Sequence, residues 1–306
     1  MRAKLLPDRT VTLMKLSIVI RTYNEAKYLG DLLGAIADQD VDQSKLDIVL
    51  VDSGSTDGTL QIAQRFPVRI LHIKKEEFSF GRSLNIGCAA SMGEVLVFIS
   101  GHCVPVSKDW LTALIAPLSK KGVVYSYGRQ IGNGHSYYSE CRIFEQYFPA
   151  KSNIPQDGFY CNNANSALLR AVWECNRFDE ELTGLEDMHL AKSLIRGGHK
   201  IAYLADAAVF HIHSETWPQV KRRFEREAIA LQHIMPEVQM SWLDFVRYWL
   251  SATSLDLPAA YRDRVLCRRA KEIVLYRLMQ YWGAYCGNHI HRKLSRRRKE
   301  AYYYPR

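Results

Sequence analysis

The sequence predicts an α/β fold, a doubly wound and mostly parallel sheet flanked by helices, followed by a helical, basic C-terminal extension. Three observations carry this expectation. Strand-length apolar runs alternate with amphipathic stretches, a polar cluster follows each of three runs, and the charge turns strongly basic near the end. Leu16–Ile20 reads as a first strand, and Glu25–Ala37 carries Leu29, Leu32, Leu33 and Ile36 at helical spacing. Asp47–Val51 is a second buried-strand run, followed by Ser53-Gly-Ser-Thr-Asp-Gly58 and an amphipathic stretch to Phe66. Val68–Ile73, Gly81–Met92, Glu94–Ile99 and Ser107–Leu118 continue the alternation. Strands separated by helices of about 10 to 15 residues imply right-handed crossovers, hence parallel strands.

Composition narrows the function classes. With 47% hydrophobic and 24% charged residues in 306, the chain can bury a core and is not expected to be disordered. The net charge of +9 is uneven: Tyr261 to Arg306 holds 13 Lys/Arg against 3 Asp/Glu, which leaves the first 260 residues at −1. Seven scattered cysteines, never spaced Cys-x-x-Cys, read as reduced thiols in a cytosolic setting rather than as a zinc site or disulfide frame. The apolar runs fall well short of the roughly 18 residues of a membrane span, and the N-terminus lacks a secretion signal's apolar core. Neither a dinucleotide fingerprint nor a P-loop occurs.

In an open α/β sheet ligands bind beyond the carboxyl ends of the strands. The residues there are Arg21-Thr-Tyr-Asn-Glu25, Asp52-Ser-Gly-Ser-Thr-Asp57 and Ser100-Gly-His-Cys-Val-Pro105. Ser17-Ile-Val-Ile-Arg-Thr-Tyr-Asn-Glu25 and Val51-Asp-Ser-Gly-Ser-Thr-Asp-Gly-Thr59 resemble the opening of the family 2 glycosyltransferases. The similarity continues through Gly81-Arg-Ser-Leu-Asn-Ile-Gly87, Phe98–Leu111, Phe178-Asp-Glu180 and Gly184-Leu-Glu-Asp187. Tyr127-Gly-Arg-Gln130, Asn162-Asn-Ala-Asn-Ser166 and Ala208-Val-Phe-His-Ile-His213 resemble bacterial rhamnosyltransferase-type enzymes of surface polysaccharide assembly. The resemblance implies a GT-A (Rossmann-like) domain over residues 1–234, with a donor half at about 15–120 and an acceptor half at about 121–234. Residues 235–306 then form the helical extension.

It also implies roles. Thr22, Asn24, Glu25, Asp52, Ser53, Arg82, Asn85, Gly101 and His102 line the pocket for a nucleotide diphosphate sugar, and Asn163 and Asn165 the acceptor side. Asp52 is the carboxylate offered to base or ribose, while Ser53 or Ser55 alternatively caps the next helix. Arg82, at a glycine-flanked helix start, is placed to bridge the diphosphate. The acidic pair Glu186-Asp187 opens an amphipathic helix, with Asp187 as the base in an inverting transfer. Acidic residues also suit a helix N-terminus on electrostatic grounds alone.

One departure concerns metal. The triplet Ser100-Gly101-His102 stands where the family's Asp-x-Asp binds a divalent ion, so a hard ion such as Mg²⁺ loses its oxygen ligands. His102 with the late His211 would suit Mn²⁺ or a softer ion; alternatively Arg82 or Arg129 neutralises the diphosphate without metal.

In the extension, Val265, Leu266, Ile273, Val274, Leu278, Met279, Trp282 and Tyr285 mark one side of a predicted helix. Basic residues cluster at Arg292-Lys293 and Arg296-Arg-Arg-Lys299, before Tyr302-Tyr-Tyr-Pro305. Such a stretch fits an anionic membrane surface or a helical bundle with a solvated basic end; no nucleic-acid module accompanies it. The expectation is a peripheral enzyme on the cytoplasmic face of the inner membrane. It moves one sugar from a nucleotide diphosphate sugar to a lipid-linked glycan acceptor. The alternative is a non-catalytic nucleotide-sugar-binding subunit of a polysaccharide assembly complex.

Overall fold

The computed structural model describes residues 14–290 and 294–304. The chain forms strands β1 (Leu16–Thr22), β2 (Leu46–Asp52), β3 (Arg69–His72), β4 (Val95–Ser100), β5 (Cys103–Pro105), β6 (Val123–Ile131), β7 (Asn165–Leu169) and β8 (Lys200–His211). Its helices are α1 (Leu29–Ala37), α2 (Thr59–Ala63), α3 (Phe80–Ala90), α4 (Trp110–Ile115), α5 (Tyr138–Tyr147) and α6 (Arg170–Cys175). They continue with α7 (Glu186–Arg196), α8 (Trp217–Ile234), α9 (Trp242–Arg262), α10 (Leu266–Asn288) and α11 (Arg296–Tyr303). Two compact units result. One comprises the described part of Met1–Ile131 with Phe148–Glu181 and Glu186–His211; the other takes Gly132–Tyr147, Leu182–Leu185 and the described residues from Ile212 onward.

The first unit is one eight-stranded sheet, ordered β3-β2-β1-β4-β7-β6-β8-β5. The strands β3, β2, β1 and β4 run parallel, as do β6 and β8, while β7 and β5 pair antiparallel with their neighbours. The chain leaves β1 toward β2 and β3 and returns to β4 on the other side. That reversal opens a crevice at the carboxyl ends of β1 and β4. Apolar strand runs such as Ile18–Ile20 and Val95–Ile99 are covered on both faces, and Leu29, Leu32, Leu33 and Ile36 of α1 are buried in the same core.

Chain segments distant in sequence are tied at α3. Ser79 caps this helix through its hydroxyl, which accepts from the Arg82 amide at 3.1 Å. A Cβ on Gly81 would stand 2.0 Å from the Asp179 carbonyl oxygen, so the helix start lies flush against the 178–180 segment. The Asn85 amide closes the same junction, donating to the Phe178 carbonyl and to Glu180 at 2.9 Å each, and accepting from Trp173 and the Phe178 amide. Gly81→Ala is therefore expected to cost about 1–3 kcal/mol, because the contacted atom is backbone and cannot rotate away. Chemical unfolding of the purified variant measures this; wild-type stability would remove the close-approach argument.

The second unit is helical, and besides the expected 235–306 extension it takes in Gly132–Tyr147 with α5, Leu182–Leu185 and the chain from Ile212 with α8. The physical reason is packing. Gly283 and Gly287 of α10 lie where a Cβ would stand 2.2 Å from the α8 carbonyls of Lys221 and Glu225, so the two helices meet backbone to backbone. Of the expected apolar side of 265–285, Ile273 is buried and the other positions are half-buried, while Tyr276 of the same helix is buried as well. Arg277 is buried too, in an ion pair with Asp256 of α9 (Nε to Oδ2 2.8 Å) that Ser139 joins at 2.7 Å. Arg223 bridges Glu140 and Glu215 at 2.7 and 2.9 Å, and His213 Nδ1 lies 2.8 Å from Glu140. Burial alone would raise the Glu140 pKa, but His213 and Arg223 outweigh it and hold it down to about 2. In α11, Tyr302 and Tyr303 are buried, and Tyr302 donates to Glu225 at 2.7 Å. Arg292, Lys293 and Pro305 lie outside the described residues.

Candidate active site

The loops after β1 and β2 are laced together. The Asn24 amide donates to Ser55 Oγ (2.9 Å), Glu25 to Thr59 Oγ1 (2.8 Å) and Ala26 to Asp57 (3.1 Å), while Thr56 donates back to Asn24 Oδ1 (2.8 Å). Asn24 adopts φ +56°, a left-handed conformation that asparagine tolerates better than most residues. Asp52, buried at the end of β2, accepts from Gly54 N (2.9 Å), Ser55 N (3.1 Å) and Ser55 Oγ (2.5 Å). Thr22 Oγ1 is 3.4 Å away, and the Ser53 hydroxyl donates to the Thr22 carbonyl at 3.2 Å.

The Asp52 carboxylate thus organises its own turn. The expected cap by Ser53 or Ser55 is absent, for a physical reason: Ser55 is spent on Asp52 and Asn24, and Ser53 on Thr22. Gly58 takes the N-cap position of α2 without a side-chain bond, and Asp57 accepts from Thr59 N at 3.1 Å instead.

After β4 the chain turns at Gly101, where a Cβ would stand 2.8 Å from Glu25 Cγ. This close approach brings His102 beside Glu25, with Nδ1 2.8 Å from Oε1. The register of β5 on β8 pairs Cys103 with His211, and His102 Nε2 lies 3.1 Å from His211 Nε2. His211 Nδ1 in turn faces Gln130 Oε1 at 2.6 Å. Glu25 is an acceptor, so His102 Nδ1 donates to it and the His102 Nε2 lone pair points at His211 Nε2. At that distance the two Nε2 atoms either share an N–H···N hydrogen bond or face a common cation, a proton or a metal ion. A histidine whose Nδ1–H is held by a carboxylate or an amide oxygen is the usual arrangement around a bound metal. The donor set fits a divalent ion that accepts imidazole.

The acidic pair stands at the start of α7. Glu186 is buried and meets Arg21 at 3.4 Å, while the Arg21 guanidinium also lies over the Phe80 ring. Asp187 is buried and accepts from the Asn163 amide and the Met188 amide, each at 2.7 Å. Burial, then the neighbouring Glu186 carboxylate, push its pKa up from 3.8 to about 7 against those hydrogen bonds. A carboxylate that gives and takes a proton near neutrality is suited to general-base chemistry.

The remaining expected residues divide. Asn163 is buried beside Asp187; its Oδ1 accepts from Tyr125 and Ser166, and its Nδ2 has no partner among the described residues. Asn165 is not a free ligand: it accepts from Trp110 Nε1 at 2.9 Å and donates to the Arg129 and Ala207 carbonyls. Asn85 is likewise consumed by the junction with 173–180. Arg82 is surface-exposed, with Glu77 and Glu180 at 3.9 and 3.8 Å. Arg21 and Gln130 take site positions that the sequence reading left unassigned. Their signal was positional, each being the next-to-last residue of its strand, Arg21 of β1 and Gln130 of β6.

A family model described as Glycosyl transferase family 2 matches residues 17–175. The O-antigen chain rhamnosyltransferase RfbN of Salmonella typhimurium is 28% identical over 217 residues, 66% of this chain and 68% of that protein. WbaN of Salmonella anatum, also an O-antigen chain rhamnosyltransferase, is 30% identical over 188 residues, 58% of this chain and 60% of that protein. Among solved structures, the mannosyltransferase PcManGT from Pyrobaculum calidifontis, in complex with GDP-Man and Mn²⁺, superposes with a TM-score of 0.60. It is 19% identical, over 89% of this chain and 85% of that one. S. aureus TarS 1–349 with UDP-GlcNAc superposes at 0.51, with 16% identity, over 91% and 93%. These likenesses establish the GT-A architecture of the sheet. With a motif-bearing match over more than half its length, the chain belongs to glycosyl transferase family 2.

Proposed function

We propose that this glycosyltransferase moves a single sugar from a nucleotide diphosphate sugar to a glycan acceptor, a lipid-linked surface polysaccharide precursor, with inversion at the anomeric carbon. The observation that carries this reading is Asp187, a buried carboxylate fixed by two backbone amides and raised to about 7. In the proposed reaction an acceptor hydroxyl oxygen bonds to the anomeric carbon from the face opposite the leaving group. Its proton passes to Asp187, and the nucleotide diphosphate departs with the electron pair of the broken C–O bond. Glu186, paired with Arg21, keeps a second negative charge nearby that favours proton uptake by Asp187.

On the donor side, the laced loops of Thr22, Asn24, Glu25, Asp52 and Ser53 form a preorganised wall for the nucleoside. His102 and His211 are the residues that would hold a divalent ion, with Glu25 and Gln130 orienting them. When bound, such an ion offsets the charge of the diphosphate leaving group. The retained base speaks against a binding-only subunit, which has no use for one. The rhamnosyltransferase relatives support surface polysaccharide assembly as the setting, and the basic stretch after residue 260 supports attachment to an anionic lipid surface where such an acceptor resides. No helix among the described residues is long and apolar enough to cross a membrane.

A thermal-shift screen of nucleotide sugars, with and without Mn²⁺ and Mg²⁺, tests the donor reading. One donor present at about 100 times its dissociation constant adds about 2.7 kcal/mol of stability. An unmoved transition with every nucleotide sugar would remove the basis of the proposal.

A further inference from the structure

The outward side of α9 is apolar where a bundle helix is ordinarily polar. Leu243 is 78% exposed, Leu250 55%, Leu255 67% and Tyr261 73%. At 3.6 residues per turn, Leu243, Leu250 and Tyr261 fall within about 20° of one another around the helix. Tyr248 and Leu255 form a second line about 120–140° farther round the exposed side, with Asp244, Arg247, Ser251, Ser254 and Pro258 between the two. The opposite side is the packed one, through Phe245, Asp256, Ala259 and Ala260. Scattered exposed leucines need no explanation, but five large apolar side chains exposed in two lines along one helix of 21 residues do.

The row ends in positive charge. Arg262, Arg264 and Arg268 surround the turn from α9 to α10 and line an open recess there with Tyr261. Among the described residues, none of these three guanidinium groups has a hydrogen bond or ion pair, although Asp263 lies in the same turn and is bonded instead to Tyr138. By contrast, the deeper arginines Arg223 and Arg277 are each matched by a carboxylate. The tail tyrosines expected to meet lipid, Tyr302 and Tyr303, are buried, and the apolar side of α10 is buried at Ile273 and half-buried elsewhere.

We propose that the outward face of α9, with Arg262, Arg264 and Arg268 at its end, is the surface by which this chain lies on an anionic lipid membrane. A helix in the interface buries its apolar side at the acyl boundary and leaves cations at headgroup level. Leu243, Leu250, Leu255 and Tyr261 supply the first, and the three arginines meet lipid phosphates as the second. Arg247, between the apolar lines, reaches the headgroups by extending its stem along them. This assignment rests on the membrane attachment proposed above and moves it from the chain end to α9.

The test is co-sedimentation of the full chain with phosphatidylcholine vesicles, with and without about one third phosphatidylglycerol. The wild type is expected to pellet with the anionic vesicles only. R262Q/R264Q/R268Q is expected to bind on the order of 100-fold more weakly, at roughly a factor of five per charge. L243Q/L250Q/L255Q is expected to lose at least about tenfold through the apolar area removed. All six positions are exposed or solvent-facing, and unchanged circular dichroism confirms folding. A variant with Arg292, Lys293 and Lys299 changed to Gln serves as the comparison. If that variant alone loses binding, the α9 assignment is overturned while membrane attachment stands. If the wild type does not bind, both are overturned. A change from dimer to monomer in the leucine variant, read by light scattering, would give the face to a second copy and also overturn the assignment.

Discussion

Asp187→Asn is expected to lower sugar transfer by about 100-fold or more while leaving nucleotide-sugar binding intact, the size of effect that a positioned general base contributes. Asn keeps the shape but cannot take the proton of the acceptor hydroxyl. Binding of donor, read by thermal shift or calorimetry, separates this from misfolding. The pH dependence follows from the same group. Transfer needs the ionised carboxylate, so kcat/KM rises with pH through about 7 and levels above it.

Stability runs the other way. The folded pKa lies above the unfolded value of 3.8, so between about pH 4 and 7 the folded chain holds a proton that the unfolded chain has released. The stability from this group is complete below that window and is lost as pH rises through it; Asp187→Asn lacks this loss. An activity profile that is flat from pH 5 to 8 in the wild type, or a variant that transfers at the wild-type rate, would take the base assignment away from Asp187.

The second large effect is at His102. His102→Ala and His211→Ala each remove one of two facing imidazoles, and each is expected to abolish stabilisation by Mn²⁺. In the wild type, saturating metal at about 100 times its dissociation constant adds about 2.7 kcal/mol. Electron paramagnetic resonance of added Mn²⁺ gives a readout independent of transfer: the bound signal is expected in the wild type and absent in both variants. Donor turnover is expected to fall with it. Full activity of the wild type after exhaustive chelation would instead mean that fixed cations neutralise the diphosphate.

His102→Asp puts a carboxylate at this position, but it stands beside Glu25 at the distance now spanned by an imidazole. It is therefore expected to bind metal less well than the wild type, not better.

The doubly wound half of the molecule was legible in the residues because its signal is local. The runs Ile18–Ile20, Ile48–Val51 and Val95–Ile99 are apolar without interruption, as strands covered on both faces must be, and the helices between them show the 3.6-residue repeat. The acidic pair at the start of α7 was legible for the same reason. The extension was read less well: its apolar positions show that the chain packs but not against what, so the contribution of α5 and α8 to the helical unit was invisible. The Gly283 and Gly287 contacts that create it are made to α8, more than fifty residues earlier.

The side chains of the site divide along the same line. By residue type, Asp52, Asn85, Asn163 and Asn165 are equally good ligands, and sequence alone determined only that they fall at strand ends or beside them. Tertiary structure decided which are already satisfied. Asn85 and Asn165 spend their amides on backbone groups from distant segments, Asp52 on its own turn, and Asn163 keeps one buried donor unpaired. It also decided the histidine pair. The resemblance implied that Ser100-Gly101-His102 stands where a metal-binding Asp-x-Asp was expected. Only the antiparallel register of β5 on β8 brings His102 Nε2 within 3.1 Å of His211 Nε2 across 109 residues. The reason is physical: propensity and periodicity act over one or two turns of chain, whereas hydrogen-bond satisfaction is settled by whichever partner the fold delivers.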